Sequence, residues 1–446
     1  MGSPRNPYRT ILRRDYPEPF IALLAFVLGI WLWDHYFSGS DTYAPGTEEI
    51  ALVKIDRDLR LADAMHGDPA WLKWIAGAEE PALARRHAME ALDKLAKGKA
   101  MSEAGLEVRT ILQAVDDGLP VAPVLTQTLG SRPPGQFETA SKRLRKHDGT
   151  WWEAHWVESA ELDRKPAEPW HPAYADDLQQ IRARAVGARG FVWLTGLAGL
   201  LFLPMTLRRT FHAFRARPSG YAAAWPMRLG LVVFLVATLA WIGFTTTLEI
   251  GITALPDLPP LAGILLDSAA RVLPTVIALA LLFRRPSHIV RSLGLNRGFA
   301  PGLVFGWTAL LMLIDQVLSQ TLGASSASEP GGGLSAGDAG LWGLVFAVVS
   351  ACILAPLSEE ILYRGILFQS FRNRMGLLAG AVLSSGIFTI LHFYDGYGLA
   401  SVWIFGVSCA FLYSATGSLA ATIALHMLYN SLIKLPEWLV YHAPLG

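Results

Sequence analysis

Ser358-Glu359-Glu360-Ile361-Leu362-Tyr363-Arg364 stands inside an apolar run over about residues 341–369. A spanning helix needs about 20 mostly apolar residues, and each charged side chain within one costs about 2.5–3.5 kcal/mol on insertion scales. The run therefore reads as a membrane helix whose charges are kept for a function. Helical geometry sorts them. Glu360 and Arg364, at i and i+4, share a face and can pair. Glu359 lies about 100° round the helix and is not committed to that arginine. Pro356 removes a backbone hydrogen bond just upstream and predicts a kink, with the helix restarting at Ser358 as cap and both glutamates in a first turn.

Working outward, Phe388-Thr389-Ile390-Leu391-His392 ends the next apolar run, and His426-Met427-Leu428-Tyr429-Asn430 lies in the last one. His426 and Asn430 are again i and i+4. Glu359, His392, His426 and Asn430 come from three helices and can converge on one buried point. A carboxylate and an imidazole can hold and deprotonate a water. An imidazole N–H and an amide on a facing helix can donate to an oxyanion. Together they would support hydrolysis of a peptide bond with no serine or cysteine nucleophile and no cofactor. The same residue types also suit a proton relay or packing network in a membrane transporter, or a non-catalytic immunity or scaffold protein. A zinc-dependent protease would take Glu359, His392 and His426 as ligands. Against zinc, the chain has no H-E-x-x-H and Asn430 is a poor zinc ligand. Ser384-Ser385-Gly386 lacks the surroundings of a serine site, and no G-x-G-D stands beside Asp315.

These three motifs resemble the CAAX protease and bacteriocin-processing family (CPBP, or Abi) of intramembrane glutamic endopeptidases. That family carries E-E-x-x-x-R, F-x-x-x-H and H-x-x-x-N/D, in that order, on separate helices. Here the set reads Glu359-Glu360…Arg364, Phe388…His392 and His426…Asn430, without a departure. The resemblance covers about residues 300–435. It implies Glu359 as general base, His392 sharing the catalytic water, His426 and Asn430 stabilising the oxyanion, and Glu360 with Arg364 supporting the site. It implies a CAAX-protease-like activity on a membrane-associated protein or peptide.

The rest of the chain agrees with a membrane protein. Hydrophobic types make up 52% and charged types 17% of the 446 residues, against about 25% charged in a soluble domain. Most charges fall between about residues 38 and 189. The net charge of +1 gives no reason to expect a nucleic-acid partner. Nine apolar runs are candidate spans: about 19–36, 190–207, 229–249, 263–283, 301–321, 341–369, 376–393, 399–414 and 418–435. The last two are short and could form a re-entrant pair. The expected fold is an all-α, polytopic helical membrane protein of about 8–9 transmembrane helices with a mainly helical extramembrane insertion. Its parts are a cytoplasmic N-terminus (1–18), a retained signal-anchor helix (19–37) and an extracytoplasmic domain (38–189). Transmembrane helices 2–4 follow (190–299), then a catalytic membrane core (300–436) and a C-terminal tail (437–446).

Arginine sets the orientation. Arg5, Arg9, Arg13 and Arg14 precede the first run; Arg208, Arg209, Arg215 and Arg217 follow the second; Arg284, Arg285, Arg291 and Arg297 follow the fourth; Arg372 and Arg374 follow the sixth. The alternate short loops hold no Lys or Arg. The N-terminus is therefore expected inside and residues 38–189 outside, in a pattern that suits a bacterial inner membrane. In the external segment, Ile50–Ala64, Ala82–Leu95 and Ala104–Val115 carry helical periodicity, and Tyr174–Val186 reads as helix leading into the second span. Glu153 and His155, near Trp151, Trp152, Trp156 and Trp170, read as a solvated amphipathic patch. Residues 323–340 read as a flexible Ser/Gly-rich connector. Asp267 and Arg271 are expected to neutralise each other within the fourth run. Cys352 and Cys409 read as small hydrophobes.

Overall fold

The computed structural model describes residues 18–32, 47–98, 101–130, 134–145, 149–162, 172–215, 225–254, 259–323, 340–392 and 396–441. The four N-terminal arginines, Trp170, Arg217, connector residues 324–339 and the end of the tail lie outside these residues. Among the described residues every regular element is helical and no strand is present. The chain divides into two compact units, one of His35–Trp193 with Leu439–Ala443 and one of the remainder.

The larger unit begins with α1 (Glu18–Leu32). The smaller unit holds α2 (Thr47–Ala64), α3 (Ala70–Ala76), α4 (Pro81–Gly98), α5 (Glu103–Asp116), α6 (Val121–Leu129), α7 (Pro134–Arg145), α8 (Trp151–Leu162) and most of α9 (Pro172–Leu200). The periodic stretches read from the sequence lie in α2, α4, α5 and α9. Local chemistry sets the boundaries. Ser102 caps α5 by accepting the Gly105 N–H, and Gly77 closes α3 in the left-handed region at φ 62°. Leu59, Ala62, Leu92, Ile111, Leu112 and Val157 fill the core.

The tryptophan patch is not on the surface. Trp151 is fully buried and Trp156 nearly so. The Trp151 indole N–H donates to Asp63 (2.7 Å) and its backbone N–H to Asp56 (2.5 Å). Periodicity hid this because α8 carries polar residues on every side, so its hydrophobic face was not legible. Arg60 pairs with Asp177 and, at 3.4 Å, with Asp56. Burial pushes the Asp63 carboxyl up to about 6, against the lowering effect of the Trp151 indole. Burial also pushes Glu158 up to about 7, with Asp63 adding to it, and pulls His155 down to about 4.

The Asp63 shift has a definite sign. A carboxyl raised on folding contributes stability that is complete below its ordinary pKa near 4 and is lost as pH rises through about 6. The loss is on the order of 2–3 kcal/mol. His155 acts oppositely, its contribution being lost as pH falls from 6.5 towards 4. Asp63→Asn should therefore match wild type at pH 4 and exceed it at pH 8. Hydrogen exchange of α2 and α8 in the full-length protein measures the difference, and equal protection at pH 8 would refute it.

The larger unit continues through the end of α9 and α10 (Leu203–Arg215), α11 (Met227–Ala254), α12 (Pro260–Leu282), α13 (Pro286–Ser292) and α14 (Pro301–Leu318). After residue 340 come α15 (Gly340–Val349), α16 (Ala355–Glu359), α17 (Gln369–Met375), α18 (Leu377–Ile390), α19 (Gly396–Thr416) and α20 (Leu419–Tyr441). Among the described residues five helices are long and apolar enough to cross a membrane: Met227–Leu248, Leu261–Leu282, Pro301–Leu322, Leu341–Met375 and Gly396–Thr416. A sixth is counted if α9 and α10, bent by 59° at residues 201–202, form one broken span.

The protein is thus a helical polytopic membrane protein, and the nine expected runs divide differently. The second run is this bent pair rather than a straight helix. The eighth is no short hairpin arm but 21 residues long, ended by Gly417 at φ 64°. The seventh, α18, has 14 residues. It reaches about 21 Å at 1.5 Å per residue, short of the roughly 30 Å hydrocarbon core. Its buried neighbours in the apolar core include Leu231, Phe234, Ile366, Phe368 and Phe371.

Candidate active site

The helix that carries both glutamates runs without a break from Leu341 to Met375. It does not restart at Ser358. Two widened π-helical stretches, Ser350–Leu354 and Glu360–Phe368, flank the short α16. Such stretches occur often at functional sites. The first absorbs the proline. The Ala355 N–H reaches back to the Ser350 carbonyl, and Pro356 has no N–H to give. The carbonyl of Ala351 then lacks both its α partner, residue 355, and its π partner, residue 356. Asn430 fills that vacancy from α20, its side-chain amide donating to Ala351 O at 3.0 Å.

Helix α12 holds the other side of this segment with three residues spaced by four. Asp267 accepts from Ser350 Oγ (3.2 Å) and from Arg271 Nε (2.7 Å). The Arg271 carbonyl accepts from Ser358 Oγ (2.6 Å), and Thr275 Oγ1 donates to the Ser358 carbonyl (3.0 Å). Ser358 is thus a tether to α12 rather than a cap, and Glu359 is the next residue along.

The structure brings five of the six expected site residues together. Arg364 Nη1 lies 2.9 Å from Glu360 Oε1, both side chains being 0–1% exposed. His426 Nδ1 lies 3.0 Å from the same oxygen. Its Nε2 faces Glu359 Oε2 at 3.7 Å, and Glu359 keeps a quarter of its side chain exposed. The two adjacent glutamates therefore differ: one is sealed in an ion pair, the other stands at the edge. His392 Nδ1 donates to the Phe388 carbonyl at 2.7 Å, since a carbonyl can only accept. In the neutral ring the lone pair then sits on Nε2. Glu359 and His426 both lie within electrostatic reach of His392. Asn430, the sixth residue, has its amide on Ala351 O one helical turn beyond His426.

Residues the motif reading left unassigned hold this set in place. Phe388 is the hub: the Arg364 guanidinium lies over its ring at 4.5 Å, and the His392 and His426 rings approach its edges at 4.5 and 6.3 Å. Phe405 packs on His426 at 4.7 Å. A Cβ at Gly406 would come 3.0 Å from Arg364 Nη2 and 2.9 Å from Ser385 Oγ, so glycine lets α19 approach the arginine. Asp315 accepts from Tyr397 OH (2.9 Å) and Ser401 Oγ (3.0 Å), tying α14 to α19. Among the described residues no group of three His, Cys, Asp or Glu is arranged to hold a metal ion.

Residues 341–432 match the family model described as Type II CAAX prenyl endopeptidase Rce1-like. A curated relative from Escherichia coli, an "Uncharacterized 24.3 kDa protein", is 31% identical over 88 residues, which are 19% of this chain and 41% of that protein. The chain thus spans about two fifths of that relative's length. No solved structure matches the chain. The matched stretch contains Glu359, Glu360, Arg364, His392, His426 and Asn430, and over it the chain is similar to the Rce1-like type II CAAX prenyl endopeptidases.

Proposed function

We propose that the protein is an intramembrane endopeptidase of the glutamic type that hydrolyses a membrane-associated polypeptide. The observation that carries the reading is the division of labour between neighbours: Glu360 is buried against Arg364 and His426, whereas Glu359 stays outside the ion pair at a partly open edge. In this reading Glu359 and the Nε2 lone pair of His392 share a water and take its proton as its oxygen attacks the scissile carbonyl. The carbonyl pair moves to oxygen, and His426 Nε2–H with the second N–H of Asn430 receives the oxyanion. For His426 to donate from Nε2 while Nδ1 donates to Glu360, the ring must carry both protons. The charges of Glu359, Glu360, Arg364 and His426 then sum to zero, which suits a lipid-shielded site. Collapse breaks the C–N bond, and the departing amine takes the proton first removed from water.

Comparison of membrane proteomes with and without Glu359→Gln tests the reading; an uncut precursor should accumulate in the variant, and identical proteomes would overturn it. The α12 tether supplies a second check. Thr275→Val removes the hydroxyl that reaches both the carbonyl and the hydroxyl of Ser358, in the turn before Glu359, each bond worth about 1 kcal/mol. It should lower kcat by about tenfold with KM unchanged, because a misplaced base costs rate and not binding. The arginine distribution supports an inner-membrane protein with the N-terminus inside and residues 38–189 outside. The smaller unit then serves to recruit or orient substrate. Deleting residues 45–185 should slow cleavage of at least one natural substrate, and unchanged cleavage of all of them would remove that role.

A further inference from the structure

At the arginine-rich end of the larger unit lies a cleft of about 390 Å³, lined by Met205, Arg209, Arg297, Pro301, Leu303 and Thr416 among others. Two arginines line it, and no Asp or Glu is among the described residues that do. Pro301 is the first residue of the span Pro301–Leu322, and Thr416 is the last of Gly396–Thr416. The cleft is therefore bracketed by the ends of two candidate membrane helices, where a spanning helix meets the headgroup region. Its walls are mixed in a matching way, with guanidinium groups beside Met205, Pro301 and Leu303.

Helix α10, which contributes Met205 and Arg209, is built for the same boundary. By its 3.6-residue period its side chains fall into three arcs. Thr206, Thr210 and Ala213 turn inward, Thr206 packing against Gly306 of α14. Leu207, Phe211 and Phe214 form an exposed apolar arc, while Arg208, Arg209, His212 and Arg215 form an exposed basic one. An apolar arc beside a basic arc, on a helix bent 59° from its predecessor, is the pattern of a helix lying in the plane of an anionic interface. Arg209 is the member of the basic arc that lines the cleft, as does Arg297, whose guanidinium packs against Gly417.

We propose that this cleft is a binding site for an anionic glycerophospholipid, its phosphate held between Arg209 and Arg297 and its glycerol and first acyl carbons against Met205 and Leu303. The occupant is a lipid and not a soluble phosphate, because the cleft opens between span ends and its walls are apolar beyond the two arginines. The site lies apart from Glu359 and its partners, and the proposal does not depend on the proteolytic reading.

Native mass spectrometry of the detergent-purified full chain tests it, with short-chain phosphatidylglycerol and phosphatidylcholine as probes. The wild-type protein should hold phosphatidylglycerol about tenfold more tightly than phosphatidylcholine. Arg209→Gln, at an exposed position, should remove most of that preference, and Arg297→Gln should do the same. The double variant Arg208→Gln, Arg215→Gln, which alters the basic arc away from the cleft, should keep it. Equal affinity for the two lipids in the wild type would overturn the proposal, as would a preference that survives Arg209→Gln. Glycerol 3-phosphate competing as well as phosphatidylglycerol would also overturn it, by showing a soluble-anion site.

Discussion

Glu359→Gln should abolish proteolysis while leaving the protein folded. The expected loss is about 10³-fold or more in kcat, the scale of a removed general base. Gln keeps the size and the hydrogen-bonding capacity of the side chain but accepts no proton. Glu359 is outside the Arg364 pair and a quarter exposed, and in the variant His426 keeps its closer contact with Glu360, at 3.0 Å. Thermal unfolding in detergent should therefore shift little. His392→Ala should cost a comparable factor if both groups hold one water, and the double variant should be no worse than the poorer single one, because residues acting as a unit are not additive. The rivals predict otherwise: an immunity scaffold would keep its protection in Glu359→Gln, and a transporter would show proton or solute flux in liposomes. Purified wild type and variant, assayed side by side on a fluorogenic membrane-anchored peptide, decide between them. Retained cleavage by Glu359→Gln would end the glutamic mechanism.

The second large effect falls on folding. Arg364→Met should destabilise the larger unit by about 3–5 kcal/mol, since it takes the arginine from a Glu360 carboxylate that is 0% exposed and leaves His426 to balance it. It also removes the guanidinium from the Phe388 ring. Glu360→Gln does the reverse, leaving Arg364 without its carboxylate. Removing both charges together should recover most of the loss: in Glu360→Gln, Arg364→Met no lone ion is buried, and the His426 Nδ1–H still finds an amide oxygen. Denaturant unfolding of the two single variants and the double variant measures the coupling. A single variant within about 1 kcal/mol of wild type would show that the pair is solvated, against its burial.

These two expectations separate residues that look alike in sequence. Periodicity alone assigned Glu360 to Arg364 and left Glu359 unassigned, because a 3.6-residue helix gives i and i+4 a common face whatever surrounds it. The structure agrees on that pair. It adds His426 as a second partner of Glu360, a contact across 66 positions of chain that no local rule reports. The proline was visible, but its consequence was not. A kink and a restart were the local expectation; the helix instead widens and continues, with Asn430 taking the Ala351 carbonyl that the proline leaves without a partner and α12 holding Ser358.

What the amino-acid order determined by itself was the class of molecule and the polar residues from which its proposed chemistry is drawn. Long apolar runs require helices in lipid, where every backbone polar group must be satisfied within its own segment. Charges inside those runs are costly enough that their positions mark candidate site residues. What only the tertiary structure decided is which of those groups meet. Phe388 as hub, Gly406 as the gap that admits Arg364, the burial of Trp151 and the bend between α9 and α10 all depend on packing between segments far apart in the chain. Helical periodicity orders neighbours within one helix and carries no information about which face of another will lie against it.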